Sequence, residues 1–66
     1  MYIVWDRSLS TDLGCYDDFD DAVAAVIEGG GGVVFDDTRF DDQDEPIQVY
    51  EAWFNAQWEL IEEYEA

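Results

Sequence analysis

The sequence contains no histidine and no lysine, and its 66 residues include a single cysteine, Cys15. Without histidine, the chain lacks the commonest general base and the commonest metal ligand of proteins. One cysteine excludes an internal disulfide bond, and a free thiol fits a reducing compartment, where we expect Cys15 to be a small, partly buried apolar residue. No Ser-His, Cys-His or lysine arrangement is present to activate a nucleophile. These absences predict a protein that is not an enzyme and that has no catalytic residues and no cofactor.

Long apolar runs and a basic amino-terminal region are also missing. No stretch approaches the roughly 20 apolar residues of a membrane span. The start, MYIVWDRSLS, lacks the basic and apolar regions of a signal peptide. We therefore predict a cytoplasmic protein that does not enter a membrane.

The length and the aromatic content together indicate one small folded domain, residues 1–66. A chain of this size buries only about 60% of the surface that its unfolded form exposes, so its core is marginal. Aromatic residues nevertheless make up 17% of the sequence. That share is far too high for a disordered acidic tail.

The charge is the most unusual property that the sequence has. Eighteen acidic residues face two arginines, Arg7 and Arg39, and the formal net charge is −16. A globule of this length has a diameter of about 28 Å, and about 28 Å of duplex DNA carries roughly 16 negative charges. Solubility alone requires a net charge with a magnitude of only about 2–8 in a small domain. The charge excludes direct binding to nucleic acid or anionic membranes, and its excess indicates a basic partner or a salty environment.

The first half of the chain predicts two strands and a helix. Residues 2–7 begin with an aromatic and β-branched run typical of a strand. Residues 8–12 are turn-like, and residues 13–16 can return as a second strand that closes a hairpin. Residues 17–28 are predicted to form a helix with aspartates in its first turn. An apolar stripe at helical spacing is provided by Phe19, Val23, Val26 and Ile27.

The second half predicts a strand followed by a long helix. Residues 29–32 are glycines, which we interpret as a flexible connection into a strand at residues 33–35. Residues 36–38 are predicted to turn, residues 39–40 to extend a strand, and residues 41–45 to form an acidic loop. Pro46 suits the first position of a helix, which we predict to run to Tyr64 with Phe54 and Trp58 in the core. The predicted fold class is therefore α+β, a small, mainly antiparallel sheet of two to four short strands packed against two helices.

Two other kinds of site fit the sequence less well than an acidic surface. Residues 41–45 are rich in oxygen ligands but lack the glycine and glutamate spacing of a calcium loop, so we predict no specific metal site and at most weak binding of divalent ions. The glycines at residues 29–32 are followed by no lysine and lie among acids that would repel phosphate.

We therefore predict a site made of carboxylates that bind a positively charged protein. Helix positions three or four residues apart are separated by about 4.5–6 Å along the axis, close to the spacing of successive phosphates. The predicted partner-binding residues are Asp17, Asp18, Asp21, Glu28, Asp36, Asp37, Asp41, Asp42, Asp44, Glu45, Glu51, Glu59, Glu62 and Glu63.

In its size, its aromatic content, its lack of lysine and its carboxylate load, the chain resembles the small DNA-mimic inhibitors of phages. These include inhibitors of uracil-DNA glycosylase, anti-restriction proteins and anti-CRISPR proteins. The nearest resemblance is to anti-CRISPR proteins against type I systems, with subtype I-C as one candidate. It extends over the whole chain, although no specific motif carries it. It implies a bacterial host cytoplasm and a partner such as a CRISPR effector complex, bound through its basic DNA-binding channel.

Two alternatives remain open at this point. One is a small regulatory protein that dimerises through its aromatic C-terminal helix, with contacts from Trp53, Trp58, Leu60 and Tyr64, although we favour a monomer. The other is an ordinary protein of a halophile whose acids keep it hydrated in salt. The aromatic content counts against the halophile, because halophilic surfaces usually accompany fewer large apolar residues.

Overall fold

The computed structural model describes residues 1–6 and 12–65. The described residues form five β-strands and one α-helix. The strands are β1 (Tyr2–Trp5), β2 (Asp12–Tyr16), β3 (Gly31–Phe40), β4 (Pro46–Phe54) and β5 (Leu60–Glu65), and the helix α1 (Phe19–Glu28) lies between β2 and β3.

The strands form one antiparallel sheet in the order β2-β1-β3-β4-β5. The first two strands form a hairpin, and β3, β4 and β5 form a meander, so α1 makes the one long connection that carries the chain from β2 to β3. Val4 pairs with Val34, which in turn pairs with Tyr50. Because side chains alternate along a strand, these three residues mark the face of the sheet that α1 covers, the helix face.

The helix forms where the sequence predicts it, with Asp18 as its N-cap and Gly29 as its C-cap. Asp20 and Asp21 occupy the first turn, where the helix dipole favours negative charge. Its buried stripe is made by Ala22 and Val26, whereas Ile27, which we predict in the stripe, is 44% exposed. Within the described ranges, no helix has the length and apolar character needed to cross a membrane.

The core lies between α1 and the helix face, and it consists of valine and alanine side chains together with Tyr50. Val4, Val26 and Val34 are fully buried, and Phe19 stacks edge-on against both Tyr2 and Tyr50. A β-bulge in β4 turns two consecutive residues, Val49 and Tyr50, into this core. The partly buried rings of Tyr2 and Phe19 therefore pack around a core that is mainly aliphatic.

The predicted fold class is wrong in its second half, because the molecule is mostly β and has one described helix. Residues 46–64 form β4 and β5 rather than a helix. The segment is rich in β-branched and aromatic residues, which favour strands. The bulge at Val49 and the burial of residues on both sides of β4 give an apolar pattern that covers half a helical wheel without being helical. The C-terminal helix of the dimer alternative is therefore also wrong, because Trp53, Leu60 and Tyr64 lie in strands.

The predicted turn at residues 36–38 is wrong as well, because β3 runs without interruption from Gly31 to Phe40. Its pairing with β4 is irregular between Asp36 and Phe40, where the acids and Thr38 replace apolar residues. Two of the four glycines that we interpret as a flexible connection, Gly31 and Gly32, lie buried inside this strand.

The other strand predictions are confirmed at residues 2–5 and 13–16, and residues 41–45 do form the acidic loop between β3 and β4. Arg7 and the start of the predicted turn lie outside the described residues. Two predictions of burial are wrong, that of Trp58 in the core and that of a partly buried Cys15. Trp58 is 61% exposed because it lies in the β4–β5 loop, and Cys15 is exposed on the edge strand β2. Phe54 does pack against the core.

Candidate functional site

Almost all of the negative charge lies on the surface. Every acidic side chain is exposed except those of Asp6, Asp36, Asp37 and Glu51. We call the exposed carboxylates the acidic surface. Most of the residues predicted from the sequence belong to it, and it also includes three that the prediction missed: Asp12, Asp20 and Glu65.

The fold gathers the acidic surface into three groups. The helix group lies at and along α1, and it contains Asp17, Asp18, Asp20, Asp21 and Glu28. The β3–β4 loop group contains Asp41, Asp42, Asp44 and Glu45. The β5 group contains Glu59, Glu62, Glu63 and Glu65. Asp12 stands apart at the start of β2.

The expected helical spacing does not apply to the β5 group. In an extended strand, residues three apart are separated by about 10 Å rather than 4.5 Å, and neighbours point to opposite faces. Glu62 is paired with Trp53, while Glu63 is paired with Ala52 and so lies on the helix face. The β5 group therefore presents carboxylates on both sides of the sheet.

Few cations offset these acids. Arg39 donates a hydrogen bond from Nε to Asp36 Oδ2 at 3.0 Å, and the Met1 ammonium lies 3.1 Å from Asp37 Oδ1. Both of these ion pairs use carboxylates of β3, and neither involves a member of the three exposed groups.

Asp36 has a structural role that separates it from the acidic surface. It is 7% exposed, and its Oδ1 accepts hydrogen bonds from the Thr38 hydroxyl at 2.6 Å and from the Thr38 amide at 3.0 Å. These two bonds, followed by that from Arg39, lower the pKa of Asp36 from 3.8 to about 2, although burial opposes the shift. A side chain so enclosed holds the irregular end of β3, and we leave it out of the partner-binding surface.

Glu63 is held in place by the core. The Tyr50 hydroxyl donates a hydrogen bond to Glu63 Oε2 at 2.7 Å across β4 and β5. Burial, with a further contribution from this bond to the carboxylate, raises the pKa of Tyr50 to about 12. The neutral tyrosine is thus a permanent donor at physiological pH, and it fixes one carboxylate of the β5 group.

The face of the sheet opposite α1 also carries apolar side chains. A shallow depression of ≈ 210 Å³ there is lined by Ile3, Trp5, Phe35, Glu45 and Pro46. Ligand pockets usually measure about 300–1,000 Å³, so the depression is small for a metabolite. On the same face, Glu51 accepts hydrogen bonds from Trp53 Nε1 at 3.0 Å and from Gln48 Nε2 at 3.2 Å. Glu51 therefore has internal partners and contributes less to the acidic surface than the sequence predicts.

The described residues contain no group of three or more acidic or cysteine side chains placed to hold a metal ion. In the β3–β4 loop, Asp41 Oδ1 instead accepts the Gln43 and Glu45 amides at 2.8 and 3.1 Å. Chemically, the site can offer many exposed carboxylates at fixed positions to cationic groups.

Comparison of the chain with protein-family models, with curated proteins and with solved structures finds no match.

Proposed function

We propose that this protein is a non-enzymatic inhibitor that acts as a nucleic-acid mimic in the cytoplasm of a bacterial host. Its acidic surface occupies the basic DNA-binding surface of a host defence complex, for which a CRISPR effector complex is the first candidate. The protein acts as a monomer. The carboxylates take the places of DNA phosphates on lysine and arginine side chains.

The observation that carries the proposal is the density of uncompensated charge along the molecule. The chain measures 37 × 21 × 21 Å and carries a net charge of −16. Duplex DNA of that length carries roughly 22 charges, so the protein reaches about three-quarters of the charge density of DNA. The molecule is more elongated than the globule assumed from its length, which brings its outline closer to that of a short rod.

The way in which some carboxylates are held supports the same proposal. Tyr50 fixes Glu63, and the Asp41 side chain is fixed by two amides of its own loop. A ligand whose charges are already in place loses less conformational entropy when it binds. Loops and strands built in this way present charge without first having to order.

Binding to a purified type I effector complex, measured by biolayer interferometry over a range of salt concentrations, tests the proposal. Because contacts between opposite charges weaken as salt screens them, affinity should fall steeply between about 0.05 and 0.3 M salt. Reversal of two helix-group charges, Asp17→Lys with Asp21→Lys, should reduce affinity at least tenfold. The matched control, Asp17→Glu with Asp21→Glu, keeps the charge and should bind as the native protein does.

Circular dichroism of each variant separates loss of binding from loss of fold. A halophilic protein without a specific partner would not bind the effector at micromolar concentration and low salt. A uracil-DNA glycosylase and a restriction enzyme serve as further candidates under the same conditions. If none of the three proteins binds, or if the affinity changes neither with salt concentration nor with charge reversal, the proposal is wrong.

A further inference from the structure

The two loops that connect the meander strands have the same backbone geometry. In the first, the Asp41 amide donates to the Glu45 carbonyl at 2.9 Å and the Asp44 amide donates to the Asp41 carbonyl at 3.1 Å. In the second, the Asn55 amide donates to the Glu59 carbonyl at 3.0 Å and the Trp58 amide donates to the Asn55 carbonyl at 3.0 Å. The first side chain of each loop also accepts hydrogen bonds from the amides of the third and fifth loop residues. Asp41 accepts them in the first loop and Asn55 in the second. The sequences DDQDE and NAQWE thus encode one turn twice.

The fourth position of this turn requires a left-handed backbone. Asp44 has φ 60° in the first loop, and Trp58 has φ 62° in the second. Aspartate tolerates this region, whereas a bulky side chain is rarely found there. The β3–β4 loop therefore shows which residue suits the turn, and tryptophan at the same place opposes the local backbone preference. An outlier of this kind is grounds for a functional hypothesis.

The core does not account for the tryptophan. Its ring touches Phe54 at a centroid distance of 6.2 Å and lies 3.9 Å from the position where a Cβ on Gly30 would be. The side chain is still 61% exposed, and Leu60 and Ile61 beside it are 52% and 58% exposed. With Trp58, these two side chains form an apolar strip at the start of β5, whereas Tyr64, which is 50% exposed, is paired with Glu51 and lies on the face opposite α1.

The strip coincides with an unpaired edge of the sheet. Among the described strands β5 has a neighbour on one side, β4, and all six of its residues are exposed. The outer amides and carbonyls of an edge strand can pair with a further strand. A second copy fits this edge poorly, because two strands that each carry the glutamates of the β5 group would face one another. A strand with alternating basic side chains fits it, because those on the helix face would lie opposite Glu63 and Glu65.

We propose that the β5 edge and the Trp58 ring form a docking site for an extended, arginine-rich segment of a protein partner. The segment adds to the sheet as a sixth strand. Its arginines lie on the helix face, where they pair with Glu63 and Glu65 and one guanidinium lies over the Trp58 ring. Its apolar residues lie on the opposite face, against Tyr64. Cations are attracted to the face of an indole ring, and the neighbouring Glu59 and Glu62 strengthen that attraction. This inference deepens the proposed function and rests on it for the basic character of the partner.

A synthetic peptide tests the docking site directly on the full chain. The probe is a blocked six-residue peptide of alternating arginine and valine, matching the six residues of β5 in length. The control peptide has the same sequence with N-methylated amides along one edge, so it has the same charge but cannot pair as a strand. Nuclear magnetic resonance should show the first peptide shifting the Trp58 indole and the amides of residues 60–65 and slowing hydrogen exchange at alternate β5 amides. The control should bind about tenfold more weakly, as expected if a few strand hydrogen bonds are lost.

Two variants, one in each loop, complete the test. Trp58→Asn keeps a residue that tolerates the left-handed backbone and removes the ring, so it should weaken peptide binding about fivefold. Gln43→Ala in the other loop removes an exposed side chain without changing the charge and should change binding less than twofold. Equal effects of the two variants, or equal binding of the two peptides, would overturn the inference.

The outcomes separate this inference from the proposed function. If both peptides bind equally and shift the helix group as much as β5, the acids bind cations without strand addition, and the proposed function survives alone. If the first peptide adds to β5 but no basic DNA-binding protein is bound, the proposed function fails and the docking site stands. If resonances of β5 shift with protein concentration in the absence of peptide, a second copy occupies the edge and the inference is wrong.

Discussion

Gly32 is the position at which the structure makes the sharpest prediction about stability. It lies in β3, and a Cβ built on it would be 2.4 Å from the carbonyl oxygen of Trp5. The backbone of β3 fixes the position of the Cβ, and the oxygen belongs to the backbone of β1. No side-chain rotation can therefore relieve the clash. Overpacking of this kind costs about 1–3 kcal/mol, and we expect Gly32→Ala to lie near about 3 kcal/mol.

That cost is large for so small a protein. At about 0.05–0.15 kcal/mol per residue, the whole domain is stable by roughly 3–10 kcal/mol. A loss of about 3 kcal/mol should lower the melting temperature by roughly 12–24 °C. Urea denaturation followed by tryptophan fluorescence measures the free energy of unfolding, and circular dichroism on heating measures the melting temperature.

Gly29→Ala is the matched control for this prediction. Gly29 has φ −82°, and the nearest atoms to a Cβ there are 3.4 Å away. The substitution also reduces the freedom of the unfolded chain, so it should be neutral or stabilise by up to about 1 kcal/mol. Equal denaturation midpoints for Gly29→Ala and Gly32→Ala would refute the close approach of β1 to β3 at Gly32.

Three further predictions concern charge, the exposed tryptophan and pH. Because salt screens repulsion between the acids, the melting temperature should rise between low and about 0.5 M salt, and a fall would contradict the account. Trp58→Asn should stay folded with a free energy of unfolding within about 1 kcal/mol of the native value, because the lost ring contact is offset by relief of the left-handed backbone; unfolding at room temperature would show that Trp58 belongs to the core. The pKa of Asp36 is lowered to about 2, so its contribution is present above about pH 4 and is lost as the pH falls toward 2. The pKa of Tyr50 is raised to about 12, so its contribution is present below about pH 10 and is lost as the pH rises toward 12. Asp36→Asn and Tyr50→Phe should each flatten the corresponding limb of the stability–pH curve measured by urea denaturation, and an unchanged limb would rule out that residue as its source.

Local signals in the first half of the chain predict its elements well. The aspartates before Phe19 and the glycines after Glu28 bracket α1, and the β-branched runs mark β1 and the middle of β3. These signals depend on residues that are close in sequence, so they do not depend on how distant parts of the chain pair.

In the second half of the chain, pairing between strands determines the secondary structure. The apolar pattern alone predicts a helix there, which is wrong. Val49 and Tyr50 are adjacent and both buried because β4 contains a bulge, which mimics the spacing of a helix. The useful signal is the repeat of a turn, since DDQDE and NAQWE have an acid or amide first, a glutamine third and a glutamate fifth. Reading both as turns divides residues 31–65 into three strands.

The site could be predicted in composition but not in geometry. Counting acids is enough to predict an exposed negative surface, because few cations are available to pair with them. The enclosure of Asp36 by Thr38 and the bond from Tyr50 to Glu63 depend on strand register, which composition does not encode. The exposure of Trp58 follows from the turn that places it outside the core.

Mutual exclusion between this protein and DNA on one partner tests the central claim most directly. A purified type I effector complex is loaded with fluorescent target DNA at low salt and titrated with the protein, and fluorescence anisotropy reports the DNA that remains bound. The account predicts complete displacement, with an apparent dissociation constant for the protein that rises linearly with the DNA concentration. A ternary complex that holds DNA and protein together would contradict it, because ligands that use the same cationic side chains cannot bind at once.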